Sequence, residues 1–188
     1  MRDDAPMLPL KTADSRIELA PSMQRWSVRA RPSDRPALET LFGLSFPIEA
    51  LHSFHSDHGS ALWLGPDEWL VLMPPDASTS FQVRHAGLDP GSTPRCSIVD
   101  ITDRNSGLHL SGPWAQIVLN AGCPLDLSDR AFPAGTCTRT LFGKAEIVLW
   151  RVPGAHSRYQ LECWRSFLPY VWSRLAAAAA EYTAERDG

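Results

Sequence analysis

The order of the predicted secondary-structure elements repeats along this chain, and the repeat limits the folds that the chain can adopt. In the first half, apolar side chains alternate with polar ones from Trp26, as expected of a half-buried strand. A helix follows, which Ser33 would cap and Gly43 would end. Residues 61–73 then predict a hairpin whose turn lies at 65–68. The first half is therefore predicted as strand, helix and hairpin.

The second half of the chain has the same predicted order. Residues 107–111 form a short strand, and Pro113 opens a helix that Gly122 ends. Residues 147–163 predict a second hairpin, and a final helix starts near Ser166. The apolar stripe predicted for the helix after Pro113 consists of Trp114, Ile117, Val118 and Ala121.

Strands that alternate with helices and hairpins are typical of an α+β fold. We therefore predict two pseudo-repeated strand–helix–hairpin halves that form a sheet with helices on one face. A segment rich in Pro, Ser and Gly separates the halves, and a polar stretch without periodicity precedes them. The predicted boundaries are an extended arm over 1–22, a domain over 23–176 with halves at 23–75 and 97–176, a linker over 76–96, and a helical tail over 177–188.

The composition argues against several classes of function. A formal charge of -3 and a pI near 6.0 lack the basic footprint that nucleic acid or an anionic membrane surface requires. No run approaches the roughly 18 apolar residues of a membrane span, and no signal peptide is visible. The 4 cysteines form no close pair, which favours reduced thiols over a zinc ribbon or redox motif. We therefore expect a cytoplasmic protein.

A cluster of histidines is the first candidate for chemistry. His52, His55 and His58 recur at intervals of three beside Asp57, and His with Asp suits zinc or another divalent ion. Neighbouring Ser and Gly residues indicate a loop, and no Cys or Glu completes a ligand set. The favoured interpretation is a solvated loop that holds no metal.

Charged residues at predicted strand ends form the second group of candidates. Asp100 could act as a base and Arg104 could bind a carboxylate. A strand end with an Asx-turn at Asp103 and Asp–Arg pairing, or a contact with another subunit, is the favoured alternative. Arg139 and Lys144 would bind an anion or lie at a solvated strand edge, which is the favoured interpretation.

The chain lacks the common catalytic motifs. It contains no Gly-Xaa-Ser-Xaa-Gly elbow, no Walker loop and no dinucleotide-binding glycine motif. No catalytic, cofactor-binding or metal-binding residue is therefore predicted. The predicted interface or anion contacts are Asp100, Asp103, Arg104, Arg139, Lys144 and Arg165.

Several short blocks follow one another in a characteristic order. They are Leu64–Leu70, Val99–Asn105, Leu110–Pro113, Cys123–Leu127 with Phe132, Pro133 and Gly135, Arg139 with Thr140, Leu149–Arg151, and Arg165–Phe167 with Tyr170 and Trp172. Together these blocks resemble the gamma subunits of heterotetrameric sarcosine oxidases over residues 24–176. Each block is short, and their order carries the resemblance.

The resemblance implies a fold similar to the folate-binding domain of the glycine-cleavage T-protein, an aminomethyltransferase. In the family's complex, sarcosine is oxidatively demethylated to glycine with formation of hydrogen peroxide. The one-carbon unit leaves as formaldehyde or passes to tetrahydrofolate. FAD, FMN, NAD, zinc and tetrahydrofolate are implied to belong to the alpha, beta and delta subunits. The implied role of this chain is a non-catalytic structural subunit.

Two departures from the family pattern bear on whether the chain could bind folate by itself. T-protein relatives carry paired aspartates before the first hairpin, whereas this chain has the single acid Asp57 there. The helix that usually follows the hairpin is replaced by the Pro- and Ser-rich segment 74–96, so we expect it to be short or absent. A stand-alone folate-binding or one-carbon-transfer protein would need Asp67, Asp100 or Asp103 to hold the pterin. A generic interaction module is the third interpretation.

Overall fold

The structure, a computed structural model, describes residues 9–11, 15–86, 95–154 and 157–184. The strands in these ranges are β1 (Leu10–Lys11), β2 (Arg16–Leu19), β3 (Gln24–Ala30), β4 (Ser53–Ser56), β5 (Gly59–Gly65), β6 (Glu68–Met73), β7 (Cys96–Asp100), β8 (Asn105–Ser111), β9 (Cys137–Phe142), β10 (Ala145–Arg151) and β11 (Arg158–Trp164). The helices are α1 (Arg35–Phe42), α2 (Pro75–Ala86), α3 (Ala115–Asn120) and α4 (Leu168–Ala184). Short 3-10 turns precede α1 and α4. The predicted α+β class is confirmed.

Internal contacts divide the chain into two compact units. One unit combines Ser22–Asn105 with Gly135–Thr138, and the other combines Met1–Pro21, Ser106–Ala134 and Arg139–Gly188. The described strands form two sheets, with strand orders β4-β5-β6-β3-β7 and β1-β2-β8-β11-β10-β9.

The five-stranded sheet is organised around β3, which pairs antiparallel with β6 and β7. The predicted alternation is confirmed, because Trp26, Val28 and Ala30 are buried in the core of this unit. Helices α1 and α2 contribute to the same core, where Phe42 stacks on Phe81 with ring centroids 4.2 Å apart. Burial of alternate side chains therefore explains why this segment is a strand.

The six-stranded sheet has β8 and β11 at its centre. One face of these strands carries Leu108, Leu110 and Leu161, which pack in one apolar core with Val171 and Leu175 of α4. Helix α3 adds to this core, and α4 begins close to the predicted position, after a 3-10 turn. No helix in the described ranges is long and apolar enough to cross a membrane.

The two sheets are built by the same chain path. The path β3-α1-β4-β5-β6-α2 corresponds to β8-α3-β9-β10-β11-α4, and in each the first strand pairs with the last strand of a three-stranded meander. Gly59 and Gly143, with φ of 146° and 59°, stand at equivalent turns before or at the start of the second meander strand. The predicted pseudo-repeat is therefore present in the topology.

The two repeats exchange the strands that precede them. β2 precedes the first repeat, but it pairs with β8 of the second repeat, with Ile17 opposite Leu110. β7 precedes the second repeat, but it pairs with β3 of the first repeat, with Ile98 opposite Val28. Each repeat is thus completed by the strand that precedes the other one.

Two predicted segments differ from the structure. The predicted arm contains β1 and β2, because Ile17 is buried in the core of the six-stranded sheet although charged residues flank it. The predicted linker contains α2, so the helix expected to be short or absent is present. Burial of Ser78 and Phe81 anchors this polar helix. The remaining parts of the predicted arm, linker and tail, at 1–8, 12–14, 87–94 and 185–188, lie outside the described residues.

Helices α1 and α3 differ from prediction in detail. Helix α1 begins after a 3-10 turn with Asp34 at its N-cap, so Ser33 does not cap it, whereas Gly43 ends it as predicted with φ of 70°. Helix α3 spans six residues, and its buried face is rotated away from the predicted stripe, since Ile117 is 37% exposed. The buried residues of α3 are Ala115, Val118 and Leu119.

Candidate functional site

The turn after β7 is held by hydrogen bonds from its own polar residues. The Asp100 carboxylate accepts a hydrogen bond from the backbone N–H of Thr102 at 2.8 Å, which is an Asx-type turn. The Thr102 hydroxyl accepts one from the backbone N–H of Arg25 at 2.9 Å. Arg25 is itself buried, and its guanidinium donates to the Met23 carbonyl at 2.9 Å. Asp100 therefore ends a strand, as the favoured interpretation of the sequence held, but this Asx-type turn is formed by Asp100, whereas the sequence analysis placed one at Asp103.

Asp103 and Arg104 lie in the same turn, and both are exposed. The Arg104 Nε donates a hydrogen bond to the Asn105 side chain at 3.1 Å, and the backbone N–H groups of Arg104 and Asn105 donate to the Ile101 carbonyl at 3.0 Å. Asn105 is buried and begins β8. The turn thus leads directly from β7 of the five-stranded sheet into β8 of the six-stranded sheet.

Arg139 and Lys144 lie on the hairpin of β9 and β10. Arg139 is on β9, an edge strand, and its Nε is 3.7 Å from a carboxylate oxygen of Glu146. Lys144 is in the turn, where its backbone N–H donates to the Tyr170 hydroxyl at 3.1 Å. Both charged side chains are exposed at this strand edge. Both side chains therefore lie at a solvated strand edge, and Tyr170 of α4 accepts a hydrogen bond from the hairpin turn.

Arg165 is exposed in the 3-10 turn between β11 and α4. It is flanked by Trp164 and Phe167, whose ring centroids are 6.3 Å apart. These two aromatic side chains are 49% and 37% exposed. Of the six predicted contact residues, Asp100, Asp103 and Arg104 belong to one unit, and Arg139, Lys144 and Arg165 belong to the other.

Two of the three candidate histidines, His55 and His58, lie on a hairpin rather than in a loop. His55 is on β4, with its Nδ1 2.8 Å from the Ser60 hydroxyl, and His58 is in the turn before β5. His52 precedes β4, and its Nε2 is 3.4 Å from the Glu49 carboxylate. Within the described ranges, no group of three or more His, Cys, Asp and Glu side chains could hold a metal ion.

The thiols are poorly suited to nucleophilic catalysis. Burial raises the pKa of the Cys137 thiol to about 12, and the thiol donates to the His52 carbonyl at 3.2 Å. Burial also raises the pKa of Cys123, and burial followed by the charge of Asp34 raises that of Cys96. Because the thiolate is the reactive form, these cysteines stay protonated and unreactive near neutral pH.

A buried polar row crosses β8 and β11, and the sequence pattern did not predict it. Arg158 donates to His109 Nδ1 at 2.9 Å, and His109 Nε2 lies 3.0 Å from the Gln160 Oε1. Gln160 donates to the Glu162 carboxylate at 2.7 Å. His109, Gln160 and Glu162 are at most 6% exposed. The polar alternation of Arg158, Gln160 and Glu162 on β11 was the available signal, but such alternation usually indicates a solvent-facing side.

The direction of the hydrogen bonds fixes the proton on His109. Because Arg158 can only donate, Nδ1 of His109 must accept, and Nε2 carries the proton that is donated to Gln160. The row therefore runs from a guanidinium through two neutral groups to a carboxylate. Burial, the largest cause, and the nearby Arg158 charge lower the pKa of His109, whereas Gln160 and Glu18 oppose this shift.

Acidification is expected to destabilise the chain through His109. Its folded-state pKa is lowered, so the unfolded state, with a pKa of about 6.5, binds the proton first as the pH falls. The contribution of neutral His109 is fully present above about pH 6.5 and is lost progressively below it. Urea unfolding of the wild type and of His109→Gln across this range tests the effect. The wild type should lose more stability than the variant on acidification, and parallel pH profiles would contradict the assignment.

The carboxylates that folate binding would need are exposed. Asp57 and Asp67 lie in hairpin turns, Asp100 ends β7, and Asp103 lies in the turn that follows. Among the described residues, Glu162 is the buried carboxylate, and it already accepts a hydrogen bond within the polar row. Ligand pockets bury most of the ligand surface around a few placed polar groups. Asp57, Asp67, Asp100 and Asp103 are therefore not enclosed by the described residues of their unit.

The duplicated strand–helix–meander–helix path defines the chain as an α+β protein of the aminomethyltransferase fold. The solved aminomethyltransferase T of the glycine cleavage system from Bartonella henselae superposes with a TM-score of 0.57, over 87% of this chain and 45% of that chain. The sequence identity is 13%, so this likeness concerns the fold. The chain belongs to the sarcosine oxidase gamma subunit family, whose pattern matches residues 28–181.

Individual relatives agree with the family assignment. The sarcosine oxidase subunit gamma of Corynebacterium sp. (strain P-1) is 35% identical over 162 residues, which are 84% of this chain and 76% of that protein. The subunit gamma of an Arthrobacter sp. is 35% identical over 71% of this chain and 65% of that protein. A chain of the heterotetrameric sarcosine oxidase from Corynebacterium sp. U-96 superposes with a TM-score of 0.77 at 25% identity, over 90% of this chain and 85% of that chain. The resemblance noted in the sequence is therefore confirmed.

Proposed function

We propose that this chain is a non-catalytic structural subunit of a heterotetrameric sarcosine oxidase, with alpha, beta and delta subunits as its partners. The similarity to a chain of the solved heterotetramer over 90% of this chain carries the proposal. The complex oxidatively demethylates sarcosine to glycine with formation of hydrogen peroxide. The one-carbon unit is released as formaldehyde or passed to tetrahydrofolate.

The chemistry of the described residues supports a structural role. The charged candidates serve turns and strand edges, the three thiols with raised pKa values are held protonated, and the candidate folate carboxylates are exposed. FAD, FMN, NAD, zinc and tetrahydrofolate then belong to the partner subunits. The four cysteines are free thiols, which supports a cytoplasmic location, where thiols remain reduced.

Co-expression with the alpha, beta and delta subunits of the same organism tests this role. The tagged chain should retain all three partners, and the complex should show flavin absorption bands and produce hydrogen peroxide from sarcosine. The chain purified alone should be colourless and inactive, because it supplies no redox group. Absorption spectra and peroxide production of both preparations, recorded in parallel, are the measurement.

Two outcomes would contradict the proposal. Flavin bound to the isolated chain, together with sarcosine oxidation, would make the chain catalytic. Saturable binding of a tetrahydrofolate derivative to the isolated chain would instead support the alternative of a folate-binding protein, which the fold likeness to aminomethyltransferase T favours. Calorimetric titration with the folate derivative tests the second outcome. At millimolar ligand it reaches dissociation constants of about 1 mM, which correspond to roughly 4 kcal/mol of binding free energy.

A further inference from the structure

Strand β7 is an edge strand that lacks the usual protection. Soluble proteins protect edges by making them short or by adding charges, prolines or bulges, because unpaired backbone groups invite other strands. β1 has two residues including Lys11, and β9 carries Arg139 beside Glu146. β7 has five residues, no proline, continuous register with β3 and no charge before Asp100. Among the described strands, none pairs with its outer edge.

The exposed face of this edge carries arginine side chains at one end, although the Asp34 carboxylate acts on nearby Cys96. Arg29 lies on the face of β3 that points away from the core and is opposite Ser97 of β7. The Arg29 guanidinium is bonded to the Glu68 carboxylate at 2.8 Å, so this acid is already engaged. Val99 lies on the same face of β7 as Ser97, and its side chain is 50% exposed. The edge therefore offers an apolar side chain at one end and cations at the other.

Arg31 and Arg95 lie side by side at the cationic end. The antiparallel pair of Ala30 and Cys96 ends the β3–β7 ladder, and the next residue of each strand is an arginine. Both arginines are exposed, and within the described part of the chain neither forms an ion pair. Like charges opposite each other on neighbouring strands are destabilising, so this arrangement favours an anionic partner. We call Arg29, Arg31, Arg95, Ser97 and Val99 the basic corner.

We infer that the basic corner is the docking site for an acidic, extended segment of a partner subunit, which adds a strand to the outer edge of β7. Carboxylates of that segment bind the guanidinium groups of Arg31 and Arg95, where bidentate pairing is available. An apolar side chain of the segment packs on Val99. The inference rests on the proposed function, because it assigns this surface to a subunit of the same complex.

The occupant is a polypeptide because two features must be satisfied together. A free strand edge presents N–H and C=O groups at the spacing of another strand, and main-chain pairing of this kind supplies affinity. The adjacent arginines supply charge complementarity, which selects an acidic segment and fixes its register. A free anion would satisfy the arginines and leave the edge of β7 unpaired.

Charge reversal at the basic corner tests the inference in the assembled complex. The double variant Arg31→Glu, Arg95→Glu is compared with Arg130→Glu, Arg174→Glu, which reverses two exposed arginines of the other unit. Biolayer interferometry measures the dissociation constant of each chain for the remaining subunits at low and high salt. We expect at least about tenfold weaker binding for the first variant at low salt, a smaller difference at high salt, and less than about twofold change for the control.

Separate outcomes test the inference and the proposed function. If the wild type binds the other subunits and the double variant binds equally well, the basic corner is not the docking site. If the wild type does not bind them, the proposed function fails, and a synthetic peptide of alternating Glu and Val then tests the surface alone. This peptide should shift the amide resonances of β7 in the wild type and not in the double variant, and absence of any shift in the wild type would overturn the inference. Matching thermal unfolding of all variants shows that the substitutions leave the fold intact.

Discussion

Replacement of Gly59 with alanine is expected to lower the free energy of unfolding by about 3–5 kcal/mol, the largest effect of any substitution considered. Gly59 has φ of 146°, which residues with a side chain rarely adopt. A Cβ at this position would lie 2.6 Å from the backbone oxygen of Leu72. That oxygen belongs to β6, where Leu72 pairs with Ser60, so it cannot move without disturbing the sheet. Urea unfolding followed by tryptophan fluorescence measures the loss.

Gly65 provides the matched control for this substitution. It ends the same strand, β5, has no positive φ, and a Cβ there would approach no atom closer than 3.6 Å. Gly65→Ala should therefore change the free energy of unfolding by about 0.5 kcal/mol or less. Equal stability of the two variants would show that the close approach of the Gly59 backbone to β6 does not constrain the fold.

Replacement of Gln160 with leucine is expected to cost about 2–4 kcal/mol of unfolding free energy. Gln160 is the central link of the buried polar row, since it joins the His109 ring to the Glu162 carboxylate. Leucine is close in size to glutamine, so the loss comes from buried polar groups deprived of a partner rather than from a cavity. Urea unfolding at pH 7.5 gives the value.

Two further variants show whether the polar row is responsible. Gln116→Leu on α3 is the matched control, because this partly exposed glutamine forms no side-chain hydrogen bond with the described residues, and its change should be small. The double variant Gln160→Leu, Glu162→Met should regain part of the lost stability, because it removes the stranded carboxylate as well. A double variant less stable than Gln160→Leu alone would contradict this account.

The parts of the fold that could be predicted are those that neighbouring residues determine. Alternation from Trp26 predicted β3, the Gly and Pro residues near 65 and 153 predicted the two hairpin turns, and Gly43 predicted the end of α1. In each case the physical cause lies within a few residues, either a side-chain period of two or a backbone conformation that glycine allows. The pseudo-repeat was visible for the same reason, because it is an order of such local elements.

The parts that were missed depend on residues far apart in the sequence. Ile17 stands between two charged residues and becomes a strand residue because β8 pairs with it. Helix α2 has a polar sequence, and its place depends on the stacking of Phe81 on Phe42. The alternation of polar residues at 160 and 162 predicts a side that faces solvent. Gln160 and Glu162 are nevertheless buried, because residues distant in the sequence cover them. The burial of these polar residues could not be predicted from composition or from the spacing of apolar side chains.

The exchange of strands between the repeats sets the order of events when the chain is synthesised. The last residue of β2 is 86 positions before the first residue of β8, its partner in the sheet. At roughly 5–20 residues per second, the ribosome needs on the order of 4–17 seconds to make that partner. During this interval the first repeat can form its own meander and helices, while β2 waits with Ile17 exposed to solvent. Final closure of the fold therefore depends on the second half of the chain being made, and a truncated product could not bury its own N-terminal strand.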